Sequence, residues 1–261
     1  MTDSLRNRLY STEAIVLARR NLGEADRILD VFSTRHGKMS IIAKGARKPE
    51  SRSGRLLDLL NRVTVELYHG RNLETVRGVE MIEAHPGLRT DLDAFGHASY
   101  IADLVRAMTQ DHEPSDRIYT LLAQTLTLLS DGVEPWPLTR YFEYALLEAT
   151  GFRSELFECP RCRDQLTAQV NAYSVREGGV ICPRCRVGDP GAIPLSVNAQ
   201  KYLRTLDRSG LAAAVRLPLD QSLKNELEGA LAGYIRFHAE RDLQSLKVWH
   251  AMDEASSSQT R

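Results

Sequence analysis

Between residues 10 and 82 the apolar side chains come in short β-branched and aliphatic runs, separated by Gly, Asn and charged residues at close spacing, a pattern that predicts strands. Arg62–His69 alternates most cleanly, with Val63, Val65 and Leu67 on one face. His69-Gly70-Arg71-Asn72 reads as a turn. Glu74–Ile82 then returns as a partner strand, with Gly78 marking a bulge or sharp bend. Segments around Ala14–Arg19, Arg27–Phe32 and Met39–Lys44 bring the total to about five short strands, the number in a small closed barrel of the OB type.

After His85-Pro86-Gly87 the period changes. Ile101, Leu104, Val105 and Met108 recur at helical spacing, as do Ile118, Leu121, Leu122, Thr125, Leu126 and Leu129. Glu134-Pro135-Trp136-Pro137 is a breaker whose second proline suits the first turn of a helix, and Gly151 is placed to end the helix through Tyr141–Ala149. Helical spacing resumes at Val197–Leu206 and over Leu223–Trp249, where Leu227, Ala230, Leu231, Tyr234, Ile235 and His238 share one stripe. The Ser-rich tail Asp253–Arg261 reads as unstructured.

The pattern gives an α+β multidomain chain: an N-terminal OB-fold barrel over 1–82, a helical domain over 83–155 and 191–252, an inserted module over 156–190 and a disordered tail over 253–261. With 261 residues, 43% of them hydrophobic, the chain exceeds what one core usually serves. The 34 Lys and Arg balance the 34 Asp and Glu. MTDSLRNRLYS carries no apolar stretch, so no secretory signal is expected, and no apolar run approaches a membrane span. A cytoplasmic location is the expectation.

All four cysteines lie in the inserted module, as Cys159-Pro160-Arg161-Cys162 and Cys182-Pro183-Arg184-Cys185. Two CxxC knuckles 19 residues apart suit one tetrahedral Zn2+, and four sulfur ligands leave no position for a reacting water. The expected metal is one structural zinc. Ala172–Val175 and Gly178–Ile181 read as a hairpin that returns the second pair to the first. A thioredoxin-like redox use is the competing reading; two copies and the absence of a βαβ context favour the knuckle. Arg163 and Arg186 stand where such knuckles often place glycine.

Overall neutrality conceals a cationic stretch. Between residues 35 and 55, Arg35, Lys38, Lys44, Arg47, Lys48, Arg52 and Arg55 face one acid, Glu50, and Arg19 and Arg20 follow the first strand. Lys44–Arg52 has the small and breaking residues of a mobile loop. A cationic loop leaving a barrel strand can track a phosphate backbone, so these nine residues are the candidate DNA contacts. A solvated charged loop is the plainer alternative. Phe32 alternates like a core residue and Tyr68 is the better exposed aromatic, so backbone charge should outweigh base stacking.

No catalytic constellation emerges. Glu24, Asp26 and Asp30 could suggest a metal-dependent nuclease, but no matching pair elsewhere completes a site. The seven histidines lack an HExxH-like spacing, and Gly37-Lys38 lacks the upstream glycine of a phosphate loop. His36, His69 and His97 read as ordinary surface or partly buried residues, His238 as a core histidine.

Several motifs, in order, carry a family resemblance. Glu13-Ala-Ile-Val-Leu17, Gly23-Glu-Ala-Asp26, Thr34-Arg-His-Gly37 and Ala43-Lys-Gly-Ala-Arg47 precede the CxxC, Tyr173-Ser174, Gly178-Gly179, CxxC layout and Leu243-Gln-Ser-Leu-Lys247. Together they resemble the bacterial recombination mediator RecO family over about residues 10 to 250. The resemblance implies an OB barrel, a helical domain and an inserted zinc module. It implies binding of single- and double-stranded DNA and annealing of complementary strands without ATP. As partners it implies RecR, the C-terminal tail of single-strand-binding protein and, indirectly, RecA, with no membrane, no small-molecule substrate and no enzymatic activity. The implied location is the bacterial cytoplasm, with nucleoid association on DNA. The rival of a different class is a zinc-ribbon interaction or transcription-associated factor without annealing activity.

Overall fold

Short alternating runs cannot bury one face alone, and here they close on themselves. The computed structural model describes residues 9–70, 73–214 and 216–239, in two compact units whose described parts run over 9–133 and 134–239. In the first, β1 (Leu9–Leu22), β2 (Asp26–Ser33), β3 (Gly37–Ala43), β4 (Arg62–Tyr68) and β5 (Glu74–Glu83) form a closed barrel in the order β1-β2-β3-β5-β4. Every pairing is antiparallel except β3 with β5, which is parallel at Ile41↔Glu74 and Ile42↔Thr75. This is the OB fold.

The alternation predicted for Arg62–His69 is realised: Val63, Val65 and Leu67 all point into the barrel beside Val16, Leu29, Val31 and Ile41. Each such aliphatic side chain contributes about 1.5–3 kcal/mol on burial. Phe32 is also fully buried. β1 is long enough to pair with β4 along its first half and β2 along its second, with a register shift between Val16 and Ala18 where it changes partner. In β5 the register passes from Glu66↔Gly78 to Leu67↔Val76, so Arg77 is the extra residue of the bulge expected at Gly78.

Between β3 and β4 the chain forms a one-turn helix, α1 (Arg52–Leu56), whose flanking Ala46 and Leu57 join the barrel core. After the 3-10 turn Pro86–Arg89 come α2 (Leu92–Met108) and α3 (Asp116–Ser130). Each has a side-chain N-cap: Asp91 accepts from the N–H groups of Asp93 and Ala94, and Ser115 from that of Ile118. Both helices belong to the compact unit of the barrel. Thr127 on α3 donates to Glu83 at 2.9 Å, and Arg62 on β4 donates to Glu13 at 2.9 Å and to the Tyr119 hydroxyl at 3.3 Å. The helices therefore divide between units by what they pack on.

The second unit starts with α4 (Pro135–Ala149), which opens on a proline in its first turn and is followed by Gly151 at φ +89°. The inserted module holds β6 (Asn171–Ser174), β7 (Gly179–Ile181), the short α5 (Pro183–Arg186) and β8 (Ile193–Leu195). The predicted hairpin is β6–β7, and β8 adds a third strand on the other side of β6. Beyond them lie α6 (Val197–Ser209), the single turn α7 (Leu211–Ala214) and α8 (Gln221–His238). Arg140 on α4 is fully buried; it bonds Glu143 at 2.8 Å and lies 3.6 Å from Glu228 on α8, tying the two helices. α8 ends at His238 with Ala239 as its C-cap. The rest of the helix expected to Trp249, the Leu243–Lys247 motif and the tail lie outside the described residues.

Candidate metal centre and nucleic-acid interface

The two CPRCR pentapeptides converge. All four Sγ atoms lie within 4.8 Å of one another, and Cys162 Sγ is 3.7 Å from Cys182 Sγ. Four sulfurs held tetrahedrally at about 2.3 Å from one ion lie about 3.8 Å apart, whereas a disulfide needs about 2.05 Å. The cysteines are free of disulfides. Their separation suits a shared metal ion, and among the described residues this is the one group of three or more His, Cys, Asp or Glu so placed.

The knuckles are built differently despite identical sequence. In the first, the Arg163 N–H donates to Cys159 O at 2.8 Å and Arg163 takes φ +64°, the left-handed conformation that glycine would adopt more cheaply. In the second, the Arg186 N–H donates to Cys182 O at 3.0 Å and the chain continues as the helical turn α5. The departure from glycine noted at positions 163 and 186 thus strains only the first knuckle. Burial raises the Cys159 thiol, but the backbone N–H groups of Cys182, Cys162 and Arg161 outweigh it and bring the thiol down to about 6. Burial and the neighbouring sulfurs push Cys185 up to about 12. The backbone donors thus favour the thiolate at Cys159, the form in which a cysteine binds a metal. Arg184 pairs with Asp164 at 2.7 Å, and Arg161 donates to Cys185 O at 3.1 Å, linking the two knuckles.

The cationic residues of the barrel do not form one stretch in space. Arg35 lies in the β2–β3 turn, separated from Lys44 by the length of β3, about 23 Å for seven residues. Lys38 is half-buried, and its three donors go to Arg106 O at 2.8 Å, Thr109 O at 2.6 Å and Asp111 at 3.3 Å. A lysine so engaged has no donor left for phosphate. The end of β1 does approach the Lys44–Arg55 segment: Asn21↔Arg27 and Arg27↔Ala43 are in register, which brings the strand end that carries Arg19 and Arg20 alongside its start.

That segment, expected to be mobile, is a chain of closed turns. The Gly45 N–H donates to Asp26 at 2.8 Å and the Arg47 N–H to Ala25 O at 2.9 Å, and the Arg47 guanidinium reaches Gly23 O. Ser51 caps α1 by accepting from the Gly54 N–H at 3.1 Å, and Arg55 donates to Pro49 O at 3.4 Å. Lys44, Arg47, Lys48, Arg52 and Arg55 all remain exposed. A fixed array of cations loses less entropy on meeting a polyanion than a flexible one. Gly54 is required by close approach, because a Cβ there would lie 1.9 Å from Ala46 O. Gly54→Ala should push the segment off the barrel and destabilise the protein by about 1–3 kcal/mol, which a denaturant melt measures; an unchanged melt would mean the loop tolerates the displacement.

Two of the three acids, Asp26 and Asp30, are engaged by the same architecture. Asp26 clamps the basic turn; Asp30 accepts from Ser40 at 2.7 Å and Arg106 at 3.1 Å and lies 3.8 Å from Arg20. Two neighbours of the patch had no sequence signal. Arg27 reaches it through strand register, and Arg89, far along the chain, shares Asp58 with Arg19.

A closed OB barrel with a clamped cationic turn, carried in one chain with a four-cysteine cluster suited to a metal ion, defines an OB-fold protein with a candidate metal site. Comparison with known proteins narrows the class. Residues 7–85 match the family model described as Recombination protein O N terminal, and residues 89–247 match Recombination protein O C terminal. DNA repair protein RecO of Roseiflexus sp. (strain RS-1) is 36% identical over 242 residues, covering 93% of this chain and 85% of that protein. DNA repair protein RecO of Dehalococcoides mccartyi (strain CBDB1) is 34% identical over 240 residues, covering 92% and 94%. That of Symbiobacterium thermophilum is 33% identical over 240 residues, covering 91% and 95%. The chain belongs to the RecO family of DNA repair proteins. No helix among the described residues is long and apolar enough to cross a membrane.

Proposed function

We propose that this chain is a non-enzymatic recombination mediator that binds single- and double-stranded DNA and anneals complementary strands without ATP. The observation that carries the proposal is the hydrogen-bonded cationic turn at one end of the OB barrel, whose lysines and arginines stay exposed while its backbone is fixed. Annealing needs no covalent step. Cations that screen two phosphate backbones let strands approach, and base pairing supplies the driving force. Arg19, Arg20, Lys44, Arg47, Lys48, Arg52 and Arg55 form the interface, and Lys38 is left out because its donors are occupied.

The ion in the four-cysteine site is zinc, since a closed shell of four thiolates suits a soft-tolerant tetrahedral ion, and its task is structural because no ligand position stays open. When bound it supplies charge neutralisation and a cross-link between the knuckles; Cys159, Cys162, Cys182 and Cys185 hold it. Family membership supports RecR, the C-terminal tail of single-strand-binding protein and, through them, RecA as partners in the bacterial cytoplasm.

The test is fluorescence-monitored annealing of complementary oligonucleotides without ATP and with magnesium, bare and coated with single-strand-binding protein. The protein should accelerate pairing several-fold and leave every strand intact. Absence of acceleration would remove the annealing function; shortened strands would return Glu24 and its neighbours to consideration as a nuclease.

A further inference from the structure

Beside the cationic turn the barrel unit contains a cavity of about 360 Å³ that shares only Arg19 with the cationic interface. Its apolar wall includes Leu60, Leu88 and Phe95, and Leu92, 70% exposed, stands with Phe95 on the first turn of α2. Phe95 is only partly buried, so it offers the cavity an aromatic surface. The polar groups are both donors and acceptors. Arg19 and Arg89 flank Asp58: Arg19 contacts one of its carboxylate oxygens, and Arg89 lies 3.1 Å from the other and donates to Asn61 at 3.3 Å. His85, also in the wall, is buried at φ +47°; its Nδ1 is bonded to Leu60 O at 2.9 Å. Its Nε2 is buried without a hydrogen-bond partner, 3.6 Å from Glu83.

We infer that this cavity receives an unpaired nucleobase from the strand held by the neighbouring cations. The inference rests on the proposed DNA-binding function and adds to it a means of preferring single strands. The volume is in the range of small-ligand sites, and an apolar, partly aromatic lining with a few convergent polar groups matches a base that has left its stack. Continuity supplies the occupant: Arg19 of the interface lines the cavity, and Asp58, also in its wall, follows the cationic segment that ends in α1 at Leu56, so a strand tracked by those cations passes its opening. Arg19, Arg89 and Asp58 together offer donors and an acceptor, the mixed pattern that base edges carry. A paired base in duplex DNA cannot enter without being extruded.

The full chain can be tested without any variant. A single strand and the same strand made abasic carry identical backbone charge, so a difference in their affinity reports base contact. The wild type should bind the abasic strand about tenfold more weakly, equivalent to ~1.4 kcal/mol, while Ala84→Trp, which fills the cavity from its wall, should bind both strands alike at the weaker level and leave duplex affinity unchanged. Equal affinity of the wild type for normal and abasic strands overturns the inference, as does an Ala84→Trp protein that keeps the preference. An acidic, apolar peptide that binds wild type but not Ala84→Trp, with the two strands bound alike, would assign the cavity to a protein partner instead. Failure of the DNA-binding function itself looks different, since strand and duplex would then both lack salt-sensitive binding.

Discussion

Removing the metal proposed for the four-cysteine site should melt the knuckle segments while the barrel stays folded. Residues 157–170 and 182–189 have little secondary structure beyond the single turn of α5; their order comes from turns around the cysteines, such as Cys159 N–H to Asp164 O at 2.8 Å and Gly188 N–H to Cys185 O at 3.2 Å. A four-thiolate site adds about 10 kcal/mol or more of metal-binding free energy to the folded state. Losing even ~5 kcal/mol of it lowers a melting temperature by about 20 °C for a unit of this size. The β6–β7–β8 sheet has a further anchor, since Tyr173 is fully buried, bonds Ser154 and meets Tyr234 of α8 edge-on at 5.7 Å. The strands should therefore resist chelation longer than the knuckles. Hydrogen exchange before and after chelation distinguishes the two, with Cys182→Ser as the genetic equivalent. Unchanged protection at 157–170 would show that the thiols hold the fold unaided.

Replacing Lys44, Arg47 and Lys48 together with alanine should weaken single-strand binding about a hundredfold near 0.1 M salt, because each phosphate neutralised contributes about 0.7 log units there. The same count makes the plot of log affinity against log salt about two units shallower. The effect should be the same for every base sequence, since these contacts read charge and not base edges. Arg47 also holds Gly23 O, so part of the triple variant's loss can come from a loosened turn. The Lys44→Ala, Lys48→Ala double variant removes two exposed cations without that bond and should lose about 25-fold by the same arithmetic. An unaltered salt slope in both would take the turn out of the interface.

The barrel strands were legible because period-two alternation is local: each of Val63, Val65 and Leu67 had to face the same way, whatever the partner strand. The convergence of the four cysteines was legible for a similar reason, since few other chemistries place four thiols as two CxxC pairs. The third strand of the module was not legible. Ile193–Leu195 is three residues long and contains a proline, and only its place on the open edge of β6 makes it a strand.

The chain order thus determined by itself the number of barrel strands, the helical character of the segments beyond Gly87, the pairing of the four cysteines in two CxxC motifs and the abundance of cations between residues 35 and 55. Only the tertiary structure decided which of those cations share a surface. β3 carries Arg35 to the far end from Lys44, Lys38 is claimed by carbonyls of α2 and its C-cap, and Arg19, Arg20, Arg27 and Arg89 arrive from elsewhere in the chain. Periodicity and ligand spacing act over a few residues and are written along the chain, whereas charge acts through space, and its neighbours are set by strand register and barrel closure.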